Sequence, residues 1–99
     1  GGSNKGAMGG EMLLIGLGGC FMSNLLAAVQ AREAAVSDLN IEIAATLEET
    51  PPHFSAVELT ITGNYPDKET MQKLVTIAER GCIVANTIKG SVKLTFTIA

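Results

Sequence analysis

The run EMLLIGLGGCFMSNLLAAVQAR (residues 11–32) decides how this chain can fold. Between Glu11 and Arg32 there is no charged residue, so the segment predicts a long helix, from about Glu11 to Val36, that is apolar on nearly every face. Such a helix needs cover all round, and the rest of a 99-residue chain can cover about one side of it. Gly16, Gly18 and Gly19, with Ala27 and Ala28, leave room for a second helix backbone to approach closely. A symmetric pairing of two copies, an obligate oligomer and most simply a dimer, meets the need. The other solution is an N-terminal region, missing from this sequence, that covers the helix.

By length alone the same run reaches the threshold for a membrane span. Ser23, Asn24, Gln30 and the three glycines argue against it, as does the lack of flanking aromatic and basic anchors. A signal peptide is a related reading, with Lys5 before the apolar core and Val29-Gln30-Ala31 as the cleavage site.

Eight of the eleven glycines fall within the first nineteen residues, so residues 1–10 read as a glycine-rich loop. After the helix, Ile41, Ile43, Ala45 and Leu47 alternate with Glu42, Ala44, Thr46 and Glu48, the period of a half-buried strand that Pro51-Pro52 ends. Val57, Leu59 and Ile61 form a second strand, antiparallel to the first. Asp67 is placed as an N-cap, and Met71, Leu74, Val75 and Ala78 form the apolar stripe of a helix running to Arg80. Gly81 interrupts it, Cys82 to Ile88 is a short helical piece, and Val92, Leu94, Phe96 and Ile98 make a last strand. The expected fold is one α+β domain over residues 1–99, in the order αββααβ, with an antiparallel sheet.

Composition excludes several functions. A net charge of −3 offers no basic surface to nucleic acid, and no polybasic membrane tag is present. With one His, His53, and no C-x-x-C pair, the ligands of a structural zinc site are not reached, and no metal is expected. Residues 16–21, GLGGCF, lack the last glycine of a dinucleotide loop, and no phosphate loop occurs, so no cofactor is expected. Glu42, Glu48, Glu49 and Glu58 read as an exposed strand face. Two cysteines are too few for a secreted disulfide scaffold, and the cytoplasm is the expected compartment.

Those cysteines hold the chemistry that remains. Cys20 lies inside the apolar helix, while Cys82 follows a helix-breaking glycine and opens a new helical piece, where backbone N–H groups can lower a thiol pKa. Each could equally be a small core hydrophobe, and spacing does not decide between the two readings.

The motifs carry a resemblance. Residues 6–23, GAMGGEMLLIGLGGCFMS, followed by AERGCIV (78–84), resemble the two cysteine motifs of the OsmC/Ohr family of osmotically inducible and organic hydroperoxide resistance proteins. The resemblance covers nearly the whole chain, with the hairpin, helix, short helix and last strand in order. It implies an intertwined homodimer of thiol peroxidases, in which Cys20 attacks an organic hydroperoxide and becomes a sulfenic acid. Cys82 then resolves it as a disulfide, and an external dithiol reduces the pair. Glu11 falls in the family's pattern of an acid before the first cysteine and would orient or polarise the site.

Three differences from the family stand in the sequence. The family's N-terminal strands, which in the hydroperoxide resistance branch bring an activating arginine, do not precede the glycine-rich segment here. The arginines present are Arg32 and Arg80, either of which would have to supply the charge. Glu11 precedes Cys20 by nine residues, and Ile83 stands where proline usually follows the second cysteine. The alternative to a peroxidase is therefore a non-catalytic relative of the family, a scaffold or a binder of small apolar ligands, with inert cysteines.

Overall fold

Apolar and polar residues alternate along three segments, and these build one sheet: β1 (Ser37–Glu49), β2 (Pro52–Asn64) and β3 (Lys93–Ile98). They occur in a computed structural model that describes residues 2–99, with side chains from Met8 onward. The helices are α1 (Gly2–Ala31), α2 (Lys68–Gly81) and α3 (Ile83–Ile88), so the order is αββααβ, as expected.

The pairing sets apolar residues in rows across the strands. Ile41 lies opposite Ile61 and Ile98 beyond it, Ile43 joins Leu59 and Phe96, and Ala45 joins Val57 and Leu94. Val57, Leu59 and Ile61 on central β2 are buried. β1 and β2 pair antiparallel, but β3 joins β2 in parallel, so the sheet is mixed where an antiparallel one was expected. The cause is the crossover through α2 and α3, which returns the chain to the sheet in the direction of β2.

α1 and α2 supply the remaining core. Leu17, Phe21, Leu25 and Ala28 form one buried stripe of α1, and the Phe21 and Phe96 ring centroids lie 4.9 Å apart. α2 buries Met71, Leu74, Val75 and Ala78, the four residues expected from its periodicity. Its N-cap is Asp67, whose carboxylate accepts from the Thr70 backbone N–H at 2.7 Å and the Thr70 hydroxyl at 3.1 Å. Those two hydrogen bonds hold the Asp67 carboxyl below its ordinary pKa.

Two expected boundaries of α1 are corrected. The segment expected to be a loop, residues 1–10, is helical from Gly2, and Gly1 lies outside the described residues. Each glycine costs a helix roughly 1 kcal/mol relative to alanine, but adding turns to an existing helix avoids the cost of nucleation. Gly10 also lets the sheet approach, since a Cβ there would lie 3.0 Å from the Phe54 ring. At the other end the helix stops at Ala31 and not near Val36. Glu33 adopts a left-handed backbone (φ 49°), with Ala34 N–H donating to the Val29 carbonyl and Glu33 N–H to that of Gln30. This termination motif usually recruits glycine, so its sequence signal was missing.

Among the described side chains, from Met8 onward, one side of α1 is covered and the other is open. Met8, Met12, Ile15 and Leu26 are 61%, 64%, 67% and 51% exposed. With Gly19 and Met22 they fall at alternating intervals of four and three residues, the spacing that lines up a helix–helix seam. The small residues expected to allow close approach divide between the faces. Gly18 meets Ile43 and Ala28 is buried, whereas Gly16 and Gly19 have no neighbour that a Cβ would touch. The span Met8–Ala31 is long and apolar enough to cross a membrane, and here one face of it packs on the sheet and α2.

Candidate thiol site

The order of burial in α1 places Cys20 at the margin of its packed face, where the side chain is half-buried. Cys82 belongs to the junction between α2 and α3 and is completely buried. Its backbone is extended (φ −83°, ψ 107°), which ends α2 and starts α3, and its N–H donates to the Glu79 carbonyl at 3.2 Å. The Cys82 sulfur caps α3 by accepting from the Ala85 N–H at 3.5 Å.

α1 packs against both α2 and α3, and this brings the sulfurs together across more than sixty residues of sequence. The Val84 N–H, the Cys82 thiol and the Ile83 N–H act on Cys20, and together they outweigh partial burial and lower its pKa. Burial raises the pKa of Cys82, against the Ala85 N–H, and the neighbouring Cys20 raises it further. The pair is thus polarised, with Cys20 the more acidic thiol and Cys82 the less acidic one.

This corrects the sequence-based argument about the α3 N-terminus. Its N–H groups were expected to acidify Cys82; those of Ala85 and Val84 pull that way but burial outweighs them, while those of Val84 and Ile83 act on Cys20, which approaches from α1. The cysteine adjacent in sequence is instead the one enclosed by apolar side chains. Asn24, which sequence reasoning passed over, also joins the site. Its amide donates to the Cys20 carbonyl at 2.8 Å and lies 3.8 Å from the Cys20 sulfur. A polar residue one helical turn from Cys20 in an apolar run was the available signal.

Other expected members are not brought in. Glu11 is exposed, and nine residues of helix put it about 13.5 Å along the axis from Cys20 and on the opposite side. Within one chain it does not reach the sulfurs. Arg32 and Arg80 line an open groove with Lys73, and the lowering of the Cys20 pKa comes from hydrogen bonds and from neither arginine.

Cys20, half-buried on α1, and Cys82, buried at the start of α3, are the cysteines of the two sequence motifs. The family model for OsmC-like protein matches residues 2–97. The chain belongs to the OsmC-like family. Similar solved structures include a hypothetical protein from Aquifex aeolicus VF5, with a TM-score of 0.81, 20% identity, and coverage of 90% of this chain and 70% of that one. Another is an organic hydroperoxide resistance protein OsmC from Legionella pneumophila, with a TM-score of 0.78, 21% identity, and coverage of 90% and 66%. The organic hydroperoxide resistance protein OhrB of Bacillus subtilis gives a TM-score of 0.67, 20% identity, and coverage of 86% and 64%. These likenesses show the α+β fold of the OsmC-like family. Among curated proteins there is no match. This OsmC-like chain spans 62–70% of the length of the first five similar structures.

Proposed function

We propose that this OsmC-like protein is a thiol-dependent peroxidase that reduces organic hydroperoxides. The observation that carries the reading is the polarised pair itself, half-buried Cys20 with its pKa lowered and buried Cys82 beside it with its pKa raised. A peroxidatic sulfur must be a thiolate, must be reachable, and must have its resolving partner close by.

In the proposed cycle the Cys20 thiolate attacks the terminal oxygen of the hydroperoxide and the O–O bond breaks. The leaving alkoxide takes a proton and departs as the alcohol, while Cys20 becomes a sulfenic acid. The Cys82 sulfur then attacks the Cys20 sulfur, water leaves, and a disulfide forms. An external dithiol restores both thiols by exchange and is itself oxidised to a disulfide. Such a cycle belongs in a reducing compartment, the cytoplasm, where it would serve the response to oxidative stress.

We also propose that a second copy covers the Met8, Met12, Ile15, Gly19, Met22 and Leu26 stripe, giving a homodimer. The heptad-like spacing and the exposure of Met8, Met12, Ile15 and Leu26 support this occupant. Any role for Glu11 at a sulfur would then have to come from a different chain than its own.

Cumene hydroperoxide added to the purified protein, and to Cys20→Ser and Cys82→Ser variants, tests the reading. The parent should lose two free thiols per equivalent of peroxide consumed. Cys82→Ser should consume one equivalent and stop at a sulfenic acid, and Cys20→Ser should be inert. Full retention of both thiols in the parent would overturn the peroxidase.

A further inference from the structure

Asparagine is a poor helix former, and Asn24 stands in the middle of an apolar helix, a choice that asks for a reason. The i to i+4 spacing lays its side chain back towards Cys20. The amide nitrogen must face the Cys20 carbonyl, 2.8 Å away, because that carbonyl can only accept. This leaves the second N–H for the Cys20 sulfur at 3.8 Å, within reach for an acceptor as large as sulfur.

The other end of the side chain meets Gly81. A Cβ at Gly81 would stand 2.8 Å from the Asn24 Oδ1 and 3.5 Å from its Cγ. Gly81 does not have the positive φ that would explain a glycine by backbone freedom. It closes α2, where alanine would be the better helix former, so space for Asn24 is the explanation that remains.

We propose that Asn24 is a positioning residue for the Cys20 sulfur, and that the missing side chain at Gly81 is what lets it take that position. The inference rests on Cys20 as the reactive thiol of the proposed peroxidase. Asn24 adds a side-chain donor from α1 to the backbone donors that come from α3. It also lies against the end of α2, one residue before Cys82.

The test reads ionisation directly, without peroxide. The rate of Cys20 alkylation by iodoacetamide is followed against pH in the full chain, with the modified peptide resolved by mass spectrometry. The variants are Asn24→Ala, Asn24→Asp, Gly81→Ala and the double variant Asn24→Ala/Gly81→Ala. Alanine at 24 favours the helix, so loss of fold is not the expected obstacle, and circular dichroism checks it.

Asn24→Ala should move the alkylation profile to higher pH by about half a unit, roughly a threefold loss of thiolate at neutral pH. Asn24→Asp should move it further, because a carboxylate repels the thiolate. Gly81→Ala should reproduce the Asn24→Ala shift and add nothing in the double variant. Coincident profiles for Asn24→Ala and the parent would overturn the proposal, as would a Gly81→Ala shift that persists in full without Asn24. A parent that consumes no peroxide but shows the predicted shifts would sink the peroxidase reading and leave this inference standing.

Discussion

Cys82 and Cys20 are neighbouring thiols, and their interaction pushes the two pKa values in opposite directions. Hydrogen bonds from Val84, Cys82 and Ile83 favour the charged form of Cys20, whereas burial favours the neutral form of Cys82.

The pH dependence follows from that split. Alkylation of Cys20 should reach half its maximal rate below the usual thiol value of about 8.5, and that of Cys82 above it. In urea both profiles should converge on the ordinary value. Stability carries the same signs. The Cys20 contribution is present above its unfolded pKa and is lost as pH falls through its lowered folded value. The Cys82 contribution is present below its unfolded pKa and is lost as pH rises through its raised folded value. Alkylation of the two peptides followed by mass spectrometry checks the order, and a Cys82 that reacts first would contradict it.

The stripe on α1 predicts the oligomeric state. Ile15, 67% exposed, sits in the middle of it, and Ile15→Lys leaves the buried stripe at Leu17, Phe21 and Leu25 untouched. Sedimentation should show a dimer for the parent and a dissociation constant weakened at least tenfold, about 1.4 kcal/mol, for the variant. Unchanged association would mean that the stripe is not the seam.

Contact between α1 and the sheet is tight at Gly18. An added Cβ would lie 2.7 Å from the end of the Ile43 side chain. Alanine asks Ile43 to change rotamer, while Gly18→Val overfills the space and should cost about 1–3 kcal/mol. Gly16→Val, with no neighbour in range, should cost less than Gly18→Val in urea titrations.

Phe21 is completely buried and packs on Phe96. Phe21→Ala should cost about 3–5 kcal/mol, a large part of the stability of a domain this small. Thermal melting followed by circular dichroism measures it, and a change of a few tenths would deny the ring its place in the core.

Periodicity is local, and what it encodes was legible. Val57, Leu59, Ile61 and the Met71, Leu74, Val75, Ala78 stripe could be read directly because one buried face repeats every 2 or 3.6 residues. The two cysteine motifs also named the family. The end of α1 was not legible, since Glu33 takes a backbone conformation that usually signals itself by glycine. Nor was Asn24, whose meaning depends on Gly81, a residue distant in sequence.

By itself the sequence determined that an apolar helix must be wrapped by a hairpin, a second helix and a last strand, and that its sulfurs are the chemistry to watch. Tertiary packing decided which sulfur is acidic. The N–H groups that open α3 follow Cys82 in the chain, yet those of Val84 and Ile83 also act on Cys20 because α1 lies across them, and burial outweighs their effect on Cys82 and raises its pKa. Proton affinity depends on which dipoles and how much water surround a group, and both are set by segments that meet only in the folded chain.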